Sequence, residues 1–303
     1  MVTDQLVIVR GGGDIATGTI RTLRRAGFPV LVLESDRPSA IRRTVALSEA
    51  VYDGEATVED VSVSLAHNLD EAEYFLFQDG IAMLVDPDGN AIRDIVKNEE
   101  AYAQWDTGLT TLEGGGRHLF LTCVVDAVLA KKNLGTTIDM APLVIALGPG
   151  FTAGADCHVV IETMRGHALG RAITEGSALP NTGTPGMIAG HAADRVIHSP
   201  CAGTVKALSR IGDIVEEGQI IAKIAEKGGE CAEVRATLTG LVRGMIRDGY
   251  KVPEGFKIAD IDPRASEHDN CFRISDKARA IGGAVLTELI HFAAMRDLWS
   301  QAT

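Results

Sequence analysis

The sequence predicts an α/β protein in which a doubly wound, mainly parallel sheet is followed by a small β half-barrel and a C-terminal helix. Three observations predict this architecture: apolar segments that alternate with helical stretches, an internal repeat with an offset of 37 residues, and a helical apolar stripe near the end. We expect domains at residues 1–182, 183–274 and 275–303, with the last segment packing back on the first domain.

Composition limits the classes of partner. At 303 residues, with 46% hydrophobic residues, the chain is long enough for two domains. The net charge of −12 argues against a nucleic acid or an anionic membrane as partner. The start of the chain lacks the pattern of a signal peptide, so we expect a cytoplasmic protein, compatible with a homo-oligomer. Its five cysteines lie at least 30 residues apart and are expected to be reduced thiols.

A glycine-rich turn opens the first domain. Gly11-Gly12-Gly13 follows an apolar strand and precedes a helical stretch, which fits the G-x-G-x-x-G/A pattern of a Rossmann-like domain. We take Gly11, Gly13 and Asp14 as candidates for binding a nucleotide or phosphate, with Glu34 as acceptor for a ribose hydroxyl. The alternative is a purely structural turn. Asp14 would repel a pyrophosphate unless a cation intervened, and could instead cap the helix.

A second glycine-rich loop lies in the middle of the chain. Gly148 and Gly150 follow the apolar strand predicted at residues 143–147, after a helix predicted at residues 128–132. Ligands of open α/β sheets bind outside the carboxyl ends of the strands, so the two glycine loops are expected to face one cleft. A simple connecting loop is the alternative.

Ionisable residues cluster just after this loop. If residues 156–162 form a strand, its alternation places Asp156, His158 and Glu162 on one face, with His167 beyond a glycine turn. Such a set could supply a catalytic acid and base or ligands for an unspecified metal. It could equally be the polar face of a half-solvated strand. Cys157, on the opposite face, is the only cysteine in a setting that suggests activation.

The second domain contains the repeat. Its matching residues are Gly203, Gly212, Val215 and Gly218 in the first half, and Gly240, Gly249, Val252 and Gly255 in the second. Two such halves suit a pseudo-symmetric β half-barrel that resembles the biotinyl/lipoyl-like hammerhead fold. Lys227 lies between the halves, but the Met-Lys-Met and Asp-Lys-Ala attachment patterns are absent, so we expect no covalent biotin or lipoate.

The last segment has the pattern of an amphipathic helix. Ser275 is predicted to be its N-cap, and a stripe of Ile281, Val285, Leu289 and Phe292 extends to about Trp299.

Several of these segments together resemble a known family. Nearly the whole chain is similar to the selenium-dependent molybdenum hydroxylase system protein family of the YqeB type. The segments that carry this resemblance are VIVRGGGDIATGTIRTL, VVDAVLAKKNLGT, GPGFTAG, ETMRGH and KIADIDPR. The resemblance implies an accessory protein that helps to mature selenium-dependent molybdenum hydroxylases of the xanthine-dehydrogenase class. Its partners would be the client hydroxylase and a nucleotide or the nucleotide-like molybdenum cofactor. The alternative from the residues is an NAD(P)-dependent oxidoreductase with an appended β module.

Overall fold

The computed structural model describes residues 4–96, 111–114, 117–181, 183, 187, 189–226 and 229–295. The chain divides into two compact units. The first comprises Met1–Pro38, Leu47–Asn181 and Ile274–Thr303, and the second Ser39–Ala46 and Thr182–Arg273.

The first unit is built on a ten-stranded sheet. The strand order is β10-β9-β8-β7-β1-β2-β5-β4-β3, and β6 pairs with β7. Strands β1 and β8 are almost wholly buried, which explains their unbroken apolar sequences, because both faces of the sheet are covered. The strands are β1 (Gln5–Arg10), β2 (Val30–Glu34), β3 (Glu55–Val58), β4 (Val61–Ala66), β5 (Ala82–Val85), β6 (Thr111–Gly114), β7 (Arg117–Asp126), β8 (Leu143–Leu147), β9 (Val159–Ile161) and β10 (Ala172–Ile173).

Helices cover this sheet unevenly. They are α1 (Asp14–Arg25), α2 (Ala50–Asp53), α3 (Leu69–Phe77), α4 (Asn90–Val96) and α5 (Asp276–Met295). Residues 127–142 and 148–158, which connect β7 to β8 and β8 to β9, contain no α-helix. The C-terminal helix α5 contacts β8 and β9, so it covers strands whose own connections leave them bare.

The Rossmann-like, doubly wound fold class expected from the sequence is wrong. The sheet is mixed: its central pairs are parallel, but the β3–β4, β6–β7 and β9–β10 pairs are antiparallel. The helix predicted at residues 128–132 is a loop, in which Leu129 and Lys131 have φ angles of 59° and 62°. Edge strands as short as the two residues of β10 give almost no periodic signal, so sequence patterns miss them.

Helices α1 and α5 lie in direct contact along two glycines. A Cβ added at Gly18 would lie 2.5 Å from the carbonyl oxygen of Ala278, and one at Gly282 would lie 2.7 Å from the carbonyl oxygen of Gly18. Residues Ile281, Val285 and Leu289 of α5 are fully buried. The segment Ala265–Met295 is long and apolar enough to span a membrane by length and composition alone, and one face of α5 within it is buried. The cytoplasmic location stays a prediction.

The second unit contains two four-stranded antiparallel sheets, in the orders β11-β18-β16-β13 and β15-β14-β12-β17. The strands are β11 (Val196–His198), β12 (Gly203–Ala207), β13 (Ile214–Val215), β14 (Ile220–Glu226), β15 (Gly229–Arg235), β16 (Gly240–Met245), β17 (Lys251–Val252) and β18 (Lys257–Asp262).

The 37-residue repeat corresponds to an exchange of strands between these two sheets. Strand β17 of the second half pairs with β12 of the first, and β13 of the first half pairs with β16 of the second. The one small biotinyl/lipoyl-like half-barrel expected from the sequence is wrong, because the unit forms two separate four-stranded antiparallel sheets, each containing strands from both halves of the repeat.

Two further features of the second unit differ from or extend the sequence expectations. Cys201 is disulfide-bonded, so the expectation of reduced thiols is wrong at this position.

Residues 39–46 belong to the second unit, although they precede most of it in the sequence. The Met245 amide donates to the Ile41 carbonyl at 2.8 Å, and Arg43 Nε donates to the Met245 carbonyl at 2.9 Å. Lys227 lies outside the described residues.

Candidate functional site

The first glycine loop connects β1 to α1 at the carboxyl edge of the sheet. Gly13 is the N-cap of α1 and supplies no side-chain hydrogen bond to the helix. A Cβ added at Gly13 would meet no atom within 4 Å, so the space above this residue is open. Asp14 is the first helical residue rather than the cap, and its carboxylate lies in the first turn.

Glu34 supports this loop from within the protein. Its Oε2 accepts a hydrogen bond from the Gly12 amide at 2.7 Å, and its Oε1 accepts one from the Ser35 amide at 2.7 Å. The Gly12 amide is thereby used by the protein, as is the Gly11 amide, which donates to the Leu33 carbonyl. Glu34 therefore shapes the turn, and the role of ribose acceptor expected for it has no support in this geometry.

A buried ion pair lies beneath the loop that follows β7. Arg10 and Asp126, which are 2% and 1% exposed, lie at the ends of β1 and β7 with 3.6 Å between Nη1 and Oδ2. Thr136 bridges them, since it accepts from Arg10 and donates to Asp126 at 2.5 Å. Arg10 also donates to the Pro87 carbonyl at 2.9 Å. Both charges are thus satisfied inside the protein, and the network fixes the loops around the edge.

The two glycine loops both contact the loop that follows β7. A Cβ added at Gly11 would lie 2.9 Å from the Ala127 carbonyl oxygen, and one at Gly150 would lie 2.6 Å from the Lys132 amide nitrogen. Gly148 is equally close to the segment after β9, where a Cβ would lie 2.6 Å from Thr163 Oγ1. The structure therefore brings both glycine loops to one edge of the sheet, with the β7 loop between them.

The ionisable cluster expected on one strand is divided by the fold. The strand spans only Val159–Ile161, so Asp156 and His158 precede it. His158 pairs with Val144 near the start of β8, where its Nδ1 accepts from the Val144 amide at 3.0 Å. Asp156 accepts from the Thr152 amide at 2.7 Å within its own loop. These two residues lie at the opposite end of β9 from Glu162.

Glu162 and His167 follow β9 at the carboxyl edge. Glu162 is buried, and its two oxygens accept from the amides of Met164 at 2.7 Å and Leu179 at 2.8 Å. His167 is exposed. No group of three or more histidine, cysteine, aspartate or glutamate side chains that could hold a metal occurs among the described residues. The catalytic roles expected for Asp156, His158, Glu162 and His167 stay predictions.

Cys157 lacks the properties of an activated thiol. The residue is fully buried, and burial, together with the charge of Asp156, raises its pKa to about 12. A thiol with this pKa is almost entirely protonated at neutral pH, so it is a poor nucleophile.

Sequence reasoning missed Lys277, in the first turn of α5. Burial and the nearby Arg165 lower its pKa, against the opposite influence of Asp14, Glu162 and Asp276. The residue therefore lies near both the start of α1 and the end of β9. Only the packing of α5 on α1 could have revealed this position, since Lys277 and Asp14 are far apart in sequence.

The fold and the edge site define an α/β protein with two glycine loops on a mixed sheet. No protein-family model matches the chain. The chain is similar to the uncharacterized protein YqeB of Escherichia coli strain K12, with 48% identity over 286 residues. The alignment covers 94% of this chain and 47% of YqeB, so the chain spans about half the length of that relative. The resemblance to the YqeB type is thus supported by sequence.

Comparison with solved structures finds proteins named as aspartoacylase family proteins, succinylglutamate desuccinylases or ectoine utilization proteins. An aspartoacylase family protein of Mesorhizobium loti is 14% identical, with a TM-score of 0.26 and 86% of both chains covered. A succinylglutamate desuccinylase of Silicibacter is 13% identical, with a TM-score of 0.25 and coverages of 85% and 84%. The protein EutE (DoeB) of Ruegeria pomeroyi is 13% identical, with a TM-score of 0.22 and coverages of 84% and 56%. TM-scores this low transfer no activity to this chain.

The comparisons support neither function expected from the sequence, molybdenum hydroxylase maturation or NAD(P)-dependent oxidoreduction. The relative YqeB is described as uncharacterized, and the structural neighbours have names of other kinds and TM-scores too low to transfer a function. Neither function is retained. The geometry of the first loop also argues against binding of a dinucleotide. The Gly12 amide, which a pyrophosphate would need as a donor, already donates to Glu34.

Proposed function

We propose that the first unit binds a small molecule through its anionic group, a phosphate or a carboxylate, at the carboxyl edge of the sheet above the start of α1. The observation that carries the proposal is the open space at Gly13, which caps α1 without a side chain.

The start of α1 has the donors that such a group requires. The first amides of a helix have no partner within the helix, and the helix dipole places partial positive charge at this end. With 12 residues, α1 is long enough to make this effect substantial. The carboxylate of Asp14 opposes an anion here, which favours a single anionic group supported by a neighbouring cation over a pyrophosphate.

The surrounding loops give the site its shape. Gly11, Gly148 and Gly150 allow their loops to approach neighbouring backbone or side-chain atoms closely, and we assign them to shaping the edge rather than to direct contact with the ligand. Of the residues expected to act chemically, the proposal retains Glu162 and His167, which follow β9 at the same edge.

Thermal unfolding of the full chain with separate additions of inorganic phosphate, pyrophosphate, acetate, ATP and NAD tests this proposal. A ligand at 100 times its dissociation constant adds about 2.7 kcal/mol, or roughly 5 to 10 °C for a unit of this size. Gly13→Val should remove the response while leaving the ligand-free melting temperature unchanged, since the space is open. Gly283→Ala, a helical glycine with equally open space, serves as the control.

The proposal is wrong if none of these anions raises the melting temperature. It is also wrong if Gly13→Val responds to the same anion as strongly as the unaltered chain does.

A further inference from the structure

An open cavity of about 740 Å³ lies in the second unit, beside the edge strand β17. Its lining includes Gly203 and Thr204 from the start of β12, Glu226 from the end of β14, and Lys251 from β17. Cavities that bind small molecules have volumes of roughly 300 to 1,000 Å³. The cavity is therefore large enough to hold a small ligand.

The polar side chains of the lining are not used by the protein itself. No hydrogen bond or ion pair joins the side chain of Thr204, Glu226 or Lys251 to another residue that the structure describes. Glu226 and Lys251 carry opposite charges and are both exposed, yet they do not pair with each other across the cavity. A ligand can therefore meet a carboxylate, a hydroxyl and an ammonium group without displacing an internal contact.

The internal repeat builds the same arrangement of strands a second time. In the first copy, Thr204 of β12 pairs with Lys251 of β17, and β14 lies on the other side of β12. In the second copy, at an offset of 37 residues, Leu241 of β16 pairs with Ile214 of β13, and β18 lies on the other side of β16. The two locations can thus be compared position by position.

The two copies differ in the side chains that they present. In the second copy Leu241 is fully buried, and residues 265–271 pack against β16. In the first copy the same position is only half-buried, and the cavity lies open beside it. Three apolar side chains of the second copy are replaced in the first by a hydroxyl, an ammonium group and a carboxylate. The replacements are Leu241 by Thr204, Ile214 by Lys251, and Pro263 by Glu226.

The spacing of the strands sets the length of a ligand that reaches both charges. Glu226 and Lys251 lie on β14 and β17, which are the two neighbours of β12. Neighbouring strands are about 4.8 Å apart, so the backbones of β14 and β17 are separated by about 10 Å. An extended peptide of three residues spans about the same distance.

We propose that this cavity binds a short peptide with free termini, whose ammonium group contacts Glu226 and whose carboxylate contacts Lys251. Thr204, which lies on the strand between the two charges, is placed to exchange a hydrogen bond with the peptide backbone. The site belongs to the second unit and is independent of the anion site of the first.

Titration of the ¹⁵N-labelled full chain with three related peptides tests the proposal. Tri-alanine has both charges, N-acetyl-tri-alanine has only the carboxylate, and tri-alanine amide has only the ammonium group. Tri-alanine should shift the amides of Thr204, Glu226 and Lys251. Each capped peptide should bind about 3- to 10-fold more weakly, the loss expected for one charged contact in an open site.

Two variants assign each charge of the peptide to its partner. Glu226→Gln should weaken tri-alanine about 3- to 10-fold and bind N-acetyl-tri-alanine no more weakly than the unaltered chain does, since that peptide has no ammonium group to lose a partner. Lys251→Met should weaken tri-alanine to a similar extent and bind the amide no more weakly. Both residues are exposed, so the variants should fold.

Glu216→Gln and Lys206→Met are the matched controls, because they remove an exposed glutamate and an exposed lysine of the same unit that do not line the cavity. Both should bind tri-alanine as the unaltered chain does. The proposal is wrong if tri-alanine shifts none of the three cavity amides, or if the capped peptides bind as tightly as tri-alanine. It is also wrong if either cavity variant weakens all three peptides equally.

Discussion

The close contact between α1 and α5 predicts that two adjacent glycines of α5 respond oppositely to the same substitution. A Cβ at Gly282 would lie 2.7 Å from both the Gly18 carbonyl oxygen and Thr22 Oγ1, whereas a Cβ at Gly283 would meet nothing within 4 Å. Alanine stabilises a helix interior by about 1 kcal/mol relative to glycine, and this gain applies at both positions.

The difference between the two variants therefore isolates the cost of the contact. A Cβ forced against a carbonyl oxygen moves the helices apart, and such overpacking costs about 1 to 3 kcal/mol. We expect Gly283→Ala to raise the free energy of unfolding by about 1 kcal/mol, and Gly282→Ala to be less stable than Gly283→Ala by about 1 to 3 kcal/mol.

Urea denaturation followed by circular dichroism measures both values. The denaturation midpoints should differ between the variants, with similar slopes. Equal stability of Gly282→Ala and Gly283→Ala would contradict the close packing of α5 on α1, and with it the position of Lys277.

Three other predictions concern single residues. His158→Ala should reduce the free energy of unfolding by about 1 to 3 kcal/mol, because the Val144 amide loses its acceptor, and unchanged stability would contradict that role. Cys157 should resist a thiol reagent in the native chain at pH 8 and react only after unfolding, because its pKa is about 12; rapid native labelling would show that it is accessible. Burial raises the pKa of Asp262, but Arg264 outweighs this effect and lowers the pKa below 3.8. The contribution of the Asp262–Arg264 pair to the free energy of unfolding should be complete above about pH 5 and lost as the pH falls through the lowered pKa. The urea midpoint of Arg264→Met should therefore fall less between pH 5 and pH 3 than the midpoint of the unaltered chain does.

Local features were readable from the sequence where one short segment determines them. The apolar run before Gly11 and the helical pattern after Gly13 place a strand at Gln5–Arg10 and a helix at Asp14–Arg25. The spacing between Gly203 and Gly240 likewise marks equivalent strands. In each case the pattern lies within the residues that form the element.

Features that depend on distant contacts were not readable. The loop of residues 127–132 has the composition of a helix, but Leu129 and Lys131 adopt left-handed backbone conformations where Gly150 packs against this loop. Nothing in the sequence near Lys277 indicates that Asp14 lies close to it. Tertiary packing overrides local propensity in the first case and brings distant charges together in the second.

Amide chemical shifts test the anion site most directly. In the ¹⁵N-labelled full chain titrated with inorganic phosphate, we predict the largest shifts at the amides of Gly13, Asp14 and Ile15. In Gly13→Val these shifts should disappear. Phosphate-induced shifts confined to the second unit, or no shift at residues 13–15 at saturating phosphate, would contradict the account.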